Sequence, residues 1–339
     1  MMVEQRKVQR VGASTLSVSL PKHWVNHIGL KQGDLITITE ENNGDLRISA
    51  NVIHDDEPSR FVINSDMVER PKLLERLVIA SYVRGFDLVK IYSLNRIKGD
   101  QIEELRIATQ HLIGLSIMEE TSKEVILQCS LDPTQFRIYT LIRRLATITS
   151  TMENEAFEAI LNLNVELAKE VIKRESDANS IYRLTTRLLF SAQKTPTLAE
   201  IIGLEELLDV TGVRIVTKNL EGIADSATNL AAIAIDLQAL NNRQVLDRAE
   251  LEKLAPLAKM GREAFQLALE SLFTGDIIAA DTVVNLRDEL IAIAEMRIRA
   301  VAIPYYRAVV IELTEIAKRC ASIAIEAIGI TIGKTPRFP

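Results

Sequence analysis

Three oxygen-bearing side chains, Glu221, Asp225 and Asn229, follow one another at four-residue steps. On a helix this spacing sets them on one stripe, and Leu220, Ile223, Ala224, Ala227 and Leu230 run that stripe beside an apolar face. Glu175, Asp177 and Asn179 form an earlier oxygen-rich cluster. Packed antiparallel, the two segments would bring carboxylates face to face, an arrangement suited to a hard or borderline cation. On spacing alone, a solvated row of acids on a bundle surface is the simpler account.

A second group is cationic. Arg6, Lys7, Arg10, Lys22 and Lys31 stand against Glu4 alone up to position 31. Such side chains, with the hydroxyls of Ser14, Thr15 and Ser17, suit contact with phosphates, and the guanidinium groups of Arg6 and Arg10 suit the bidentate reading of guanine edges. The bland alternative is a strand face whose charges are merely solvated. His23 and His27 flank Trp24 at helical spacing without an acidic or thiolate companion, which reads as an exposed polar face with Trp24 turned to the core. His54 and His111 stand alone and receive no role.

The rest of the composition narrows the field. The formal net charge is −6, from 40 Lys and Arg against 46 Asp and Glu, which excludes a uniformly basic coat but not a local basic face. Aromatics are 4% of the chain against 47% hydrophobic residues, so the core is aliphatic, as in packed helices. Cys129 and Cys320 lie far apart and make neither a disulfide framework nor a thiolate zinc site, which fits a reducing cytoplasm. The start lacks the apolar stretch of a signal peptide. The most apolar run, 229–240, is interrupted by Asp236 and is too short to span a bilayer. No phosphate-binding glycine loop, nucleophile elbow or HExxH motif occurs, and nothing orders Ser, His and Asp into a triad, so a non-enzymatic role is expected.

The elements that would position these groups fall into three regions. Residues 1–50 read as β-β-α-β-β, with 41–45 as a hairpin turn and 21–28 as a short helix closed by Gly29. A unit this small buries little by itself, so pairing with a second copy is expected. Residues 51–60, acidic and containing Pro58, read as a linker. Residues 61–131 read as a small α/β segment, α-β-α-β-β, with its first helix from Asp66 to Arg84. Residues 132–333 read as helix throughout, opened by Asp132 and Pro133. Breaks at 161–162, 195–197, 241–242, 274–276 and 303–304 cut them into six long helices, grouped in threes over about 134–240 and 248–330. This suggests a duplicated three-helix unit.

The run from Arg6 to Lys22, with its Gly12-x-Ser14 turn and its Ser19-Leu20-Pro21-Lys22 helix entry, continues into Gly29-Leu30 and Gly33-Asp34. It resembles the AbrB/SpoVT/MazE family over about residues 5–50. The resemblance implies a swapped-hairpin β-barrel, an obligate homodimer, and binding of double-stranded DNA at a pseudo-palindromic operator through Arg6, Lys7, Arg10, Ser14, Thr15 and Lys22. The helices from about 134 to 330 resemble a pair of PhoU units, whose second and third helices carry acidic motifs that bind iron or zinc. In the first unit Glu221, Asp225 and Asn229 match the third-helix motif, with Gly222 in place of its arginine, and Glu175 matches the second-helix motif, with Asn179 in place of a carboxylate. The resemblance thus implies an iron or zinc ion held by Glu175, Asn179, Glu221 and Asp225. The second unit keeps Arg287, Asp288 and Glu289 but has Ala292 and Lys318 where acids belong, so its site is lost. A DNA-binding transcriptional regulator of phosphate uptake is therefore expected, with a helical sensor that contacts a phosphate transporter or signalling component. The alternative is a dimeric adaptor that acts on such a partner without touching DNA.

Overall fold

A computed structural model describes residues 4–12, 15–40, 44–50, 58–240 and 248–334. The chain divides into two compact units, Met1–Pro58 and Ser59–Pro339.

The first unit is two hairpins and a short helix. Strands β1 (Gln9–Val11) and β2 (Thr15–Ser17) pair antiparallel, with Arg10 opposite Leu16. Helix α1 (Lys22–His27) follows Pro21, and β3 (Ile36–Glu40) pairs with β4 (Leu46–Ala50). The two hairpins are separate two-stranded sheets. Of the residues in it whose burial is described, none is buried in the single chain. Leu35 is 83% exposed and Leu16 69%, and Val8, Val11, Val18, Ile38 and Leu46 are also open. Trp24 is only half-buried. The hairpin turn expected at 41–45 falls largely outside the described residues.

The second unit begins with an α/β layer. Strand β5 (Arg60–Asn64) leads through a single 3-10 turn to helix α2 (Leu73–Val83), strand β6 (Leu88–Tyr92), helix α3 (Gly99–Gln110) and the hairpin β7 (Leu115–Glu120)–β8 (Glu124–Cys129). The sheet order is β5-β6-β8-β7, with β5 and β6 parallel and the other pairs antiparallel. Alternate residues Val89 and Ile91 on β6 and Val125, Leu127 and Cys129 on β8 pack with Leu74, Val78, Tyr82 and Leu105 of the helices. Two expectations are corrected here. Arg60, read as linker, opens an edge strand in which Ile63 is buried and Val62 is 54% exposed, so the apolar run Phe61-Val62-Ile63 hides its alternation. Helix α2 starts at Leu73 rather than Asp66, because Pro71 precedes Lys72, which sits at φ 62°. The Glu104 carboxylate accepts from the Lys72 and Glu75 backbone N–H groups (2.7 and 3.2 Å) and so caps this start from α3.

Among the described residues eight helices follow. They are α4 (Ile138–Asn162), α5 (Val165–Lys194), the short α6 (Pro196–Ile201), α7 (Asp209–Ala239), the short α8 (Arg248–Glu252), α9 (Ala255–Thr274), α10 (Ile277–Ala300) and α11 (Pro304–Lys334). Asp132 caps only a 3-10 turn, Pro133–Gln135, and α4 begins later, at Ile138. The other ends follow local chemistry. Leu163 closes α4 in the left-handed region and the Asn164 side chain caps α5, while Pro196 and Pro304 each open a new helix. The break expected at 241–242 lies outside the described residues. Helices α4, α5 and α7 pack as one group, α9, α10 and α11 as another, and α7 lies along α11 to join them. The shared core is mostly aliphatic, from Ile138 to Ile330, with Phe157, Phe265 and Tyr306 among it. Among the described residues no helix is long and apolar enough to cross a membrane.

Candidate functional site

In the first unit, Arg6 and Lys7 precede β1, Arg10 lies on β1, Thr15 begins β2 and Lys22 begins α1, all of them exposed. Ser14 lies outside the described residues. Arg6 pairs with Glu4 at 2.9 Å. Such a surface pair contributes at most about 1 kcal/mol and leaves the guanidinium accessible.

The acidic residues gather along the seam of α5 with α7. Glu221 is 8% exposed and pairs with Lys218 one turn earlier. The Asn179 amide donates to the Glu175 carboxylate at 3.3 Å. Asp225 is half-buried; burial, then the neighbouring Glu221 and Glu175 carboxylates, push its carboxyl up to about 6, while Lys218 and Arg319 pull the other way. Asp177 is exposed and Asn229 donates to Glu312 of α11 at 3.0 Å, so neither faces the cluster. Among the described residues no three His, Cys, Asp or Glu side chains are grouped to hold a metal ion.

Cations fill much of this seam, and sequence reasoning missed them. Arg214 donates to the Tyr182 hydroxyl at 2.9 Å and lies over its ring, with Lys218 over the same ring. Arg319 reaches in from α11 and lies against Gly222. The one signal in the sequence was glycine standing where an arginine was expected. His111 also gains neighbours that spacing could not reveal. It lines a cleft of about 190 Å³ with Glu75, Glu175, Asn179 and Arg183, between the α/β layer and α5.

Comparison with known proteins bears on both units. A family model described as Antidote-toxin recognition MazE, bacterial antitoxin, matches residues 9–52, and one for the PhoU domain matches residues 142–234. No curated protein matches the chain significantly. Among solved structures, the crystal structure of PhoU from Pseudomonas aeruginosa is similar to it, with a TM-score of 0.50 at 16% identity, over 58% of this chain and 96% of that one. At that identity the likeness speaks for the fold. The two family matches make this chain a composite, with a MazE-like domain at its start and a PhoU domain in its helical part.

Proposed function

We propose that the protein is a homodimeric DNA-binding regulator, concerned with phosphate uptake or homeostasis, that works in the cytoplasm. The observation that carries this reading is the bare first unit. A segment in which no residue of described burial is buried and seven apolar side chains lie open gains a core by pairing with a second copy, since apolar burial is the main force available to it. Two copies exchanging hairpins form one barrel and place two sets of Arg6, Lys7, Arg10, Ser14, Thr15 and Lys22 about a two-fold axis. That symmetry matches a pseudo-palindromic duplex. The match to a MazE-type domain supports the same reading.

The helical part serves as the sensor. A ligand or partner that prefers one arrangement of the two three-helix groups shifts the population of poses, and by linkage changes operator affinity. The PhoU match supports a phosphate transporter or its signalling complex as that partner.

Gel retardation with fragments selected from the source genome tests the proposal. The triple variant Arg6→Ala, Lys7→Ala, Arg10→Ala is expected to lose retardation, and wild-type affinity to fall steeply with salt. Wild-type protein that retards no fragment, while still capturing a transporter component, would instead establish the adaptor.

A further inference from the structure

We propose that Arg319, reaching across from the second three-helix group, is the resident cation of the first group's acidic cluster, which therefore works without a metal ion. The inference rests on the PhoU-like reading of α5 and α7 and is independent of DNA binding.

Close approach is the first observation. A Cβ built on Gly222 would lie 2.1 Å from Nη1 of Arg319, 2.3 Å from its Cζ and 2.7 Å from its Nε. Glycine is thus what lets the guanidinium rest on the α7 backbone. The arginine missing from position 222 returns in space from another helix. Arg319 Nε is buried without a hydrogen-bond partner among the described residues, so packing against Gly222 and the longer-range attraction of Asp225 hold the group there.

The donor set is the second. Glu221 is engaged by Lys218. Asn179 turns its amide N–H toward Glu175, which makes it a donor to that carboxylate where a ligand would be needed. Among the described residues no third His, Cys, Asp or Glu completes a metal-binding group. A divalent ion would add its charge to a seam that already holds Lys218 and Arg319. A guanidinium keeps its charge at every accessible pH and offsets part of the cluster's charge whatever the metal supply, so the first group is set by its contact with α11.

The test uses the full chain. Protein stripped with EDTA and dialysed against zinc or anaerobic ferrous iron is expected to retain no stoichiometric metal and to melt at an unchanged temperature. Arg319→Met is expected to lower Tm by several degrees and Arg319→Lys to recover most of the loss. Adding Asp225→Asn to Arg319→Met should also restore Tm, because the orphaned carboxylate is removed. A bound ion in the wild type that Glu221→Gln or Asp225→Asn releases would overturn the proposal, as would an Arg319→Met protein of unchanged Tm. If Arg319→Met does not fold, refolding of the double variant supports the proposal and its failure to refold overturns it.

Discussion

Arg187, in the C-terminal third of α5, reaches Asp87 of the α/β layer at 3.0 Å. The same guanidinium donates to the carbonyl oxygens of Tyr82 and Phe86 at 2.7 and 2.9 Å and lies over the Tyr82 ring. Its side chain is 6% exposed, so these contacts are largely shielded from water. Ser180 of α5, donating to the His111 carbonyl, and Lys194, donating to that of Arg84, extend the joint. The layer is therefore clamped to the bundle along α5, the helix that also carries Glu175 and Asn179 of the acidic seam.

Arg187→Met is expected to destabilise the second unit by about 3 kcal/mol, since it leaves buried acceptors without a donor. Asp87→Asn should cost under about 1 kcal/mol, because the Asp87 side chain is 43% exposed and water replaces the ion pair. Urea unfolding of the two variants measures the difference. Equal losses would show that the ion pair, and not the carbonyl contacts, holds the joint.

Glu153 of α4 is 1% exposed and neither carboxylate oxygen has a hydrogen-bond partner among the described residues. Burial raises its carboxyl from 4.5 to about 7, opposed by Arg262 of α9; the other titratable neighbour is the buried thiol of Cys320 on α11. Between those two values the folded chain holds a proton that the unfolded chain has lost. Stability is therefore greatest below pH 4.5 as far as this group is concerned, falls as pH rises toward 7, and is level above it. The fall is roughly 3 kcal/mol. Glu153→Gln is expected to flatten this slope and to melt higher than wild type at pH 8. Parallel pH profiles for the two proteins would refute the assignment.

The α9–α10 corner offers a cleaner test of local chemistry. Asp276 accepts from the Ile278 and Ala279 backbone N–H groups at 2.9 Å, and Gly275 before it sits at φ 75°. Asp276→Ala should cost about 1 kcal/mol as a lost helix cap. Gly275→Ala should cost at least as much, from the left-handed backbone and from Thr331, whose Cγ2 would stand 3.2 Å from the new Cβ. Thermal unfolding of the two variants checks both figures.

These helix ends were legible in the sequence because their causes are local: a left-handed glycine, a capping aspartate, a proline at a first turn. The Thr274-Gly275-Asp276 break is found where those residues stand. Strand β5 was not legible, since Phe61, Val62 and Ile63 give no period and their partner β6 lies beyond α2. The start of α2 depended on Lys72 taking a positive φ, which no propensity announces. At the seam, the spacing of Glu221 and Asp225 located the acidic stripe on α7, but Arg319 comes from a helix almost a hundred positions later. Only tertiary packing decides which side chain covers Gly222. The same holds for Arg187, two of whose three acceptors are backbone oxygens and leave no mark on the sequence.

The bare apolar strands of the first unit make the last prediction. Leu35 and Leu46 are 83% and 64% exposed in the single chain. Burying each in the proposed paired barrel would contribute roughly 2 kcal/mol, twice per dimer. Leu35→Ser with Leu46→Ser is thus expected to convert a dimer into monomers at micromolar concentration by light scattering, and to abolish DNA retardation with it. Melting of the helical unit should be unchanged, since its core holds no residue of the first fifty. Lys7→Ala should do the reverse, weakening retardation while the dimer persists, because the proposed phosphate contact is lost and no apolar surface is. A double-serine variant whose mass equals that of the wild type would remove the physical basis for the dimer.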